Sequence, residues 1–278
     1  MRGLGARRSH PAKLARRVGV ELHPAVRAVL AAPLPASFDL HQFEPNVFDQ
    51  GASGSCTANA TSAGVAVGFA AAGKPLAFIP SQRAMYATTR AYERALTTAP
   101  GQPLPTLTDS GAELADVYAT IARYGVCPML EATTSDGRFS DVEMSTLNAE
   151  PAAQDLMSAA NTIVLGPYGV DPTSSNASDV LAAAIVAGIP VGVATWVGQA
   201  FMSLGANDVA QPEQDGVGDG GGHALLVTGW RTVNGARQWR VRNSWGASWC
   251  DSGYCWASEA WTQACWELHP LAVVLGVS

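Results

Sequence analysis

The spacing of the apolar residues changes near residue 160, and this change limits what the chain can fold into. Before it, apolar residues recur at the three- and four-residue spacing of helices, as in the run from Leu114 to Ile121. After it, short runs rich in Val, Leu and Trp are typical of strands. The pattern predicts an α+β fold with a helical lobe over about 50–158, a β lobe over about 160–278 that also takes the strand at 36–48, and a cleft between the lobes.

The element boundaries are predicted from capping residues and helix breakers. The first long helix begins at Ser55 or Cys56 and ends at Gly73, because glycine suits the position after a helix end. A second begins at Pro80-Ser81, and a third follows Asp109-Ser110, either of which would cap it. The remaining predictions are a helix at Val180–Ala187, capped by Asn176 or Ser178, and strands at Thr162–Leu165, Ile189–Trp196, His223–Trp230, Gln238–Asn243, Tyr254–Ala257 and Leu271–Val277.

Two stretches without any charge, 50–73 and 180–207, raise the question of a membrane span. The first is rich in Ser and Thr, and the second is broken by Pro190 between glycines, so both are predicted to be buried core elements. Charged residues make up 14% of the chain and apolar residues 47%, and five cysteines in 278 residues are sparse. This composition argues against intrinsic disorder and against a disulfide scaffold.

The charge divides the chain into a basic N-terminal arm, residues 1–35, and an acidic body. Residues 1–27 hold seven basic side chains and one acid, Glu21, for a net charge of +6, while the other 251 residues hold 10 basic and 22 acidic side chains, for −12. An acidic body makes nucleic acid an unfavourable partner. The arm is expected to dock onto the body, a partner or an anionic surface, or to be a disordered solubilising tail. No apolar run of 7–15 residues follows its arginines, so it is not a secretion signal, and a cytoplasmic or particle-associated protein is expected.

Cys56 follows a glycine-rich loop, Gln50–Ser55, and opens a long uncharged helix. The positive end of a helix dipole makes a thiol more acidic, and the thiolate is the nucleophile. Gln50 lies six residues upstream, where the loop can fold its amide back beside the cysteine as a donor to a developing oxyanion, with the backbone N–H of Cys56 as the second donor. Alone, this segment is equally consistent with a buried structural cysteine.

His223, at the start of an apolar strand after three glycines, can take a proton from a thiol and later protonate a leaving amine. Asn243, in the segment Arg242-Asn243-Ser244-Trp245-Gly246, can accept from the far ring nitrogen of His223 and fix its orientation, and Trp245 can shield that bond from water. Cysteine, histidine and asparagine in this chain order form a complete set of nucleophile, base and orienting residue.

The segments QGASGSC, GGGHALLVTG and RNSWGASW followed by SGY resemble the three active-site blocks of the papain-like cysteine peptidases, in order and approximate spacing. Segments such as PSQRAMYATTR are similar to the compact bacterial and viral branch of that family. The resemblance, over about Phe38 to Ala257, implies the papain-like two-lobed fold with an antiparallel β-barrel-like right lobe. It implies catalytic roles for Cys56, His223, Asn243 and Gln50, and substrate contacts by Gly111, Ala112, Gly222 and Trp245.

Some positions depart from the family pattern. Ser53 and Asp109 stand where the family has two half-cystines, so one family disulfide is missing as a pair. Ala112 replaces the second glycine of a Gly-Gly pair, and Thr57 replaces an aromatic residue. The other cysteines, Cys127, Cys250, Cys255 and Cys265, lack the spacing of a metal site, and no cofactor is expected. A disulfide from Cys265 to Cys250 or to Cys255, and buried free thiols, remain alternatives. His10, His23, His41 and His269 are interpreted as surface or arm residues.

The function predicted first is a thiol endopeptidase that acts on a protein or peptide substrate through an acyl-enzyme on Cys56. One alternative is a papain-fold structural or accessory component of a larger assembly, such as a virion or injection particle, bound through the arm. Another is a different Cys-His acyl transferase.

The arm is too short for the family's folded inhibitory pro-region, so it is predicted to be a tether that leaves the cleft free. The segment Ser203–Gly222 carries four acids and no base, and forms either an acidic rim that steers basic substrates or a solvated loop without effect on substrate choice. Its acids are Asp208, Glu213, Asp215 and Asp219.

Overall fold

The structure is a computed structural model that describes residues 2–151, 164–166 and 168–274. Its helices in these ranges are α1 (Pro11–Leu14), α2 (Pro24–Leu30), α3 (Cys56–Ala71), α4 (Gln82–Thr97), α5 (Leu114–Tyr124), α6 (Ala177–Val186), α7 (Gln199–Met202) and α8 (Glu259–Gln263). Its strands there are β1 (Ala6–Arg7), β2 (Val18–Gly19), β3 (Ser37–Asp39), β4 (Ala112–Glu113), β5 (Val164–Leu165), β6 (Tyr168–Gly169), β7 (Val191–Val197), β8 (Val209–Ala210), β9 (Gly221–Val233), β10 (Ala236–Arg242), β11 (Tyr254–Ser258), β12 (Glu267–Pro270) and β13 (Val273–Val274).

The first half of the chain builds a helical lobe around α3. This helix carries no charge and is buried along most of its length. Its small residues allow close packing, since a side chain at Gly64 would collide with Leu271. Helices α4 and α5 pack on it, and their buried faces join one apolar cluster with it. Among the residues that the structure describes, no helix has the length and apolar character needed to cross a bilayer.

The second half builds a sheet of seven strands in the order β12-β7-β9-β10-β11-β8, with β3 also paired to β9. The pairs along β12, β7, β9, β10 and β11 are antiparallel, and β8 adds a parallel edge. The fold is therefore α+β with a sheet-rich right lobe, as predicted. The pairings recorded for the described strands run from β12 to β8 without closing into a barrel.

Several boundary predictions need correction. Helix α5 begins at Leu114, and neither Asp109 nor Ser110 caps it, because the Asp109 carboxylate accepts the N–H of Gly54 instead. The strand β12 was not predicted, and its His269 is fully buried rather than on the surface. Of the predicted strands Thr162–Leu165 and Leu271–Val277, the described parts are β5 and β13, which pair with each other, and residues 162–163 and 275–277 lie outside the described ranges.

The basic arm is part of the fold, which rules out a disordered tail for its described residues. Strand β1 pairs in parallel with β4, and β2 pairs in parallel with β6. Helix α2 packs against α6, and Val20 and Val26 are completely buried in the core of the β lobe. The first residues of the arm cross the gap between the helical lobe and the sheet. The predicted active site lies in this gap.

Candidate active site

Cys56 is the first residue of α3 and lies at its N-terminus, where the unpaired N–H groups of the first turn point toward the thiol side. The loop before it is locked by its own hydrogen bonds. The Ser53 hydroxyl donates to the carbonyl of Gln50 at 2.8 Å, and Gly51 takes the left-handed conformation that glycine favours, with φ of 60°. The Gln50 amide donates to the carbonyl of Ser53 at 2.7 Å, so the loop folds back on itself just before Cys56.

His223 lies in β9, and Asn243 directly follows the neighbouring strand β10. The Nε2 atom of His223 lies 2.8 Å from Oδ1 of Asn243. Because that oxygen can only accept, Nε2 carries the proton and Nδ1 of the neutral ring carries none. Nδ1 is buried and has no hydrogen-bond partner within the described part of the chain. Trp245 stacks on the imidazole with ring centres 4.5 Å apart and shields the bond between His223 and Asn243 from water.

Ser244 connects Asn243, the hydrogen-bond partner of His223, with Gln50. Its N–H donates to Oδ1 of Asn243 at 2.8 Å, and its hydroxyl donates to Oε1 of Gln50 at 2.5 Å. These bonds fix the orientation of the Gln50 amide, so that its Nε2 atom is the donor. Sequence reasoning did not single out Ser244, although it lies inside the third motif.

The donor amide of Gln50 is occupied by the chain's own backbone. Nε2 of Gln50 donates to the carbonyl of Gly3 at 3.2 Å, and the N–H of Gly3 donates to the carbonyl of Gly51 at 2.9 Å. The carbonyl of Gly5 accepts from the N–H of Ala112 at 2.9 Å, and β1 follows at once. The arm therefore crosses the site as an extended peptide.

The residues that the sequence assigned to substrate contact lie against this arm. An added Cβ at Gly111 would collide with the carbonyl of Gly5, and one at Gly222 would collide with the carbonyl of Ala6. The Arg2 guanidinium lies 5.1 Å from the ring centre of Trp245. The prediction of a tether that leaves the cleft free is therefore wrong for this form of the chain. A folded pro-region is not needed to cover the site, because the extended residues 3–7 cross it.

Burial under the arm changes the acidity of the reactive pair. Burial raises the pKa of the Cys56 thiol to about 11, although backbone N–H groups of Ala224, Gly5 and others oppose the shift. Burial also lowers the pKa of His223 to about 4, against the stabilising bond from Asn243. In the covered form both groups are neutral at pH 7, so the thiolate expected at the helix start is suppressed.

Side chains of the arm form ion pairs with both walls of the cleft. Arg7 pairs with Glu93 of α4, and Arg8 pairs with Asp215 on the opposite side. Nζ of Lys13 lies 2.6 Å from a carboxylate oxygen of Glu113 and 2.7 Å from one of Asp116 on α5. The acidic body thus binds the basic arm of the same chain, one of the expected alternatives.

In the described residues, Glu93, Glu113 and Asp116 are a group of carboxylates close enough to share a cation, with oxygens within 4.8 Å of one another. In this structure the cations beside them are Arg7 and Lys13. The group was missed from the sequence because its members come from separate elements. The spacing of Glu113 and Asp116, three residues apart, was the one local signal.

Hydrogen bonds stand where the resemblance implied a missing disulfide. Asp109 accepts the N–H of Gly54 at 3.0 Å and the hydroxyl of Tyr86. The loop before Cys56 is therefore still connected to the segment that precedes α5. All five cysteines are free thiols, and Cys250 is the one that is not fully buried. Neither proposed disulfide of Cys265 is formed.

Comparisons with known proteins concern the family and the fold. The family model for papain family cysteine protease matches residues 152–269. Xylellain, a cysteine protease from Xylella fastidiosa, superposes with a TM-score of 0.74 at 25% identity, over 99% of this chain and 97% of that one. Digestive procathepsin L 3 of Tenebrio molitor superposes with a TM-score of 0.62 at 20% identity, over 96% of this chain and 83% of that one, which shows a shared fold.

An uncharacterised peptidase C1-like protein of Acanthamoeba polyphaga mimivirus is 26% identical over 208 residues, which are 74% of this chain and 62% of that protein. A gut-specific cysteine proteinase of Caenorhabditis elegans is 50% identical over 34 residues, 10% of its length. The chain therefore spans less than two thirds of these curated relatives. Fold, family model and relatives together show that the chain is similar to the papain-like cysteine peptidases, and the mimivirus relative agrees with the compact branch of that family.

Proposed function

We propose that the chain is a thiol endopeptidase that hydrolyses peptide bonds through an acyl-enzyme on Cys56, and that it is latent in the form described. One observation carries the proposal: the cleft in which Cys56, His223 and Gln50 meet holds an extended peptide, residues 3–7 of the same chain. A cleft that binds main chain by backbone hydrogen bonds suits a peptide substrate.

The first half of the reaction forms the acyl-enzyme. The Cys56 thiol gives its proton to Nδ1 of His223, and the sulfur attacks the carbonyl carbon of the peptide bond. The negative charge moves to the carbonyl oxygen, where Nε2 of Gln50 and the backbone N–H of Cys56 donate to it. The C–N bond then breaks, and the leaving amine takes the proton from His223.

The second half releases the product. A water molecule gives a proton to Nδ1 of His223 and attacks the thioester carbon, and the same donors stabilise the oxyanion. The C–S bond breaks, the carboxylic acid leaves, and the sulfur recovers its proton from the imidazole. Asn243 orients the ring in both halves through its bond to Nε2.

Latency follows from the position of the arm. The Gly3 carbonyl takes the Gln50 donor that an oxyanion needs, and Cys56 is completely buried. The thiol with a pKa of about 11 is a poor nucleophile at neutral pH. Turnover therefore requires residues 2–8 to leave the cleft.

The test uses the chain with Gly3→Ala and Gly5→Ala, which is called the arm-weakened variant. Added methyl groups at these positions would collide with the carbonyl groups of Ser53 and Gly54, so the arm should lift while the body keeps its sequence. We expect this variant to cleave casein and short fluorogenic peptides, and expect Cys56→Ala in the same background to lower the rate to background, a loss on the order of 10⁴ or more.

The matched control is Cys250→Ala in the arm-weakened variant, which removes the thiol that is not fully buried and should leave turnover within about a factor of two. Circular dichroism of each variant confirms that the fold is retained. Loss of turnover in Cys250→Ala but not in Cys56→Ala would overturn the assignment of the nucleophile.

The assembly alternative rested on a basic arm in search of an acidic partner. In this structure the cations of Arg7, Arg8 and Lys13 pair with acids of the same chain. No observation in the described residues favours that alternative over the peptidase.

A further inference from the structure

The helical wall of the cleft holds three acids under the arm: Glu93, Glu113 and Asp116. We call them the acidic cluster. Glu93 and Asp116 are buried to 8% and 2% exposure. The N–H of Glu113 donates to one oxygen of Glu93 at 2.8 Å, which leaves the other oxygen facing the arm. None of these residues takes part in the proposed chemistry on Cys56.

Two cations of the arm lie against this cluster, Arg7 in the extended segment and Lys13 in α1. Arg7 pairs with Glu93, and Lys13 bridges Glu113 and Asp116. In the register of β1 with β4, Arg7 lies opposite Glu113 and Ala6 lies opposite Ala112. The cluster is thus occupied by a side chain of the same extended segment that crosses the active site.

The residue that enters the acidic cluster is close in sequence to the residues that lie beside the Cys56 thiol. Backbone N–H groups of Gly5 and Ala6 lie within reach of the Cys56 sulfur, and Arg7 is the next residue. An extended chain advances about 3.3 Å per residue. In a peptide that took the place of the arm, the side chain in the acidic cluster would therefore belong to a residue one to three positions from the residue whose backbone lies beside the thiol.

Electrostatics require a cation at this place. With the arm in position, Arg7 and Lys13 pair with the three carboxylates, and departure of residues 2–8 removes Arg7, the ion-pair partner of Glu93, while Lys13 and the nearby Arg90 stay. Buried carboxylates without counter-charges are strongly unfavourable. The pKa of Glu93 is raised to about 7, chiefly by burial, and the neighbouring Asp116 and Glu113 raise it while Arg7 lowers it. Once Arg7 has left, binding of a guanidinium or ammonium group to the acidic cluster is favourable.

We propose that, when the arm leaves the cleft, the acidic cluster becomes a subsite for an Arg or Lys side chain of the peptide substrate, in the place that Arg7 holds. This inference rests on the proposed peptidase function and names its substrate class. It differs from steering by the 203–222 segment, where Glu213 accepts backbone N–H groups at the start of α7 and Asp208 accepts the N–H of Gly205.

The experiment compares matched peptides on the arm-weakened variant. Each peptide carries Arg, Lys, Met or Glu at one position, scanned over three residues on either side of the cleaved bond. We expect one position at which Arg and Lys raise kcat/KM about tenfold or more over Met, with Glu least favourable. Glu113→Gln with Asp116→Asn should reduce that ratio at least fivefold and leave the Met peptide within about a factor of three.

The control is Asp219→Asn, an acid of the 203–222 segment outside the cluster, which should leave the ratio unchanged. If the double variant fails to fold, Glu113→Lys, at a partly exposed side chain, is used in its place and should shift the preference from Arg toward Glu. A ratio that survives the loss of the cluster acids, or no basic preference at any position, overturns the inference.

Failure of the proposed function gives a different result. In that case no peptide of any composition is cleaved, and iodoacetamide labels Cys56 in the arm-weakened variant no faster than it labels the other thiols. Cleavage of all peptides at equal rates would instead leave the peptidase standing and remove the basic subsite.

Discussion

The two ends of the arm are held by different forces. Residues 2–8 contact the cleft through backbone hydrogen bonds and through Arg7 and Arg8, whose side chains are 44% and 61% exposed. Further along, Val20 and Val26 are completely buried in the core of the β lobe. Exposed ion pairs contribute little, about 0.2–1 kcal/mol each, whereas burying one such apolar side chain contributes about 1.5–3 kcal/mol. The comparison indicates that the front of the arm can leave the cleft while its rear stays anchored.

The site beneath the arm contrasts with that front segment. Cys56, His223 and Gln50 are each fully buried, and the bonds that orient them come from the body of the chain. Departure of residues 2–8 should therefore expose an assembled site. A releasable cover over a rigid site has consequences for thiol labelling, for catalysis and for the response to salt.

The largest effect is the pH dependence of thiol labelling. In the full chain, burial raises the pKa of Cys56 to about 11, so the thiolate fraction should rise tenfold per pH unit and labelling by iodoacetamide should increase about 10³-fold from pH 7 to 10. In the arm-weakened variant the curve should level off at lower pH, because the thiol is less buried. A plateau near pH 8–9 in the unmodified chain would show that the arm does not suppress the thiolate.

The next effect is on catalysis by the rigid site. In the arm-weakened variant, Gln50→Ala should lower kcat about 10²-fold with little change in KM, because an oxyanion donor acts mainly in the transition state. Gln211→Ala, at an exposed glutamine, is the control and should leave kcat unchanged. Asn243→Ala should lose less activity than His223→Ala, since Asn243 orients the base and does not carry the proton. An unchanged kcat in Gln50→Ala would remove Gln50 from the site.

A smaller effect measures how weakly the cover is held. Gly3→Ala with Gly5→Ala should raise the labelling rate of Cys56 at pH 7 about tenfold, since overpacking of this kind is worth roughly 1–3 kcal/mol and 1.4 kcal/mol is a factor of ten. Gly205→Ala is the matched control, because its added Cβ would meet only the flexible Asp208 carboxylate, at 3.3 Å. Equal labelling in all three proteins would mean that the arm is not the barrier.

The smallest effect is the response to salt. Raising NaCl from about 0.05 to 0.5 M should increase Cys56 labelling two- to fivefold, because the pairs made by Arg7 and Arg8 are partly exposed and are screened. Arg7→Gln should remove much of that response, whereas Arg27→Gln, at an exposed arginine of α2, should leave it intact. A salt response that Arg7→Gln does not alter would assign the anchoring to the backbone bonds alone.

The candidate residues of the site could be predicted from their immediate sequence neighbours. A cysteine after a glycine-rich loop at a helix start, a histidine at the mouth of an apolar strand and an asparagine just after the next strand were all predicted from spacing. Helix α3 and strands β9 and β10, which carry or precede these residues, are elements that short-range periodicity predicts. The position of Ser244 between Gln50 and Asn243 needed three-dimensional contact to appear.

The fold class, the resemblance to the papain-like peptidases and the excess of positive charge in the arm could be read from the chain alone, since each is a property of composition or of nearby residues. The position of the arm required the three-dimensional structure. Its path depends on glycines at 3 and 5 that pass over the Gln50–Cys56 loop, and on three acids brought together from α4, β4 and α5. Such complementarity leaves no recognisable pattern in the sequence, because it arises from the packing of elements that are far apart along the chain.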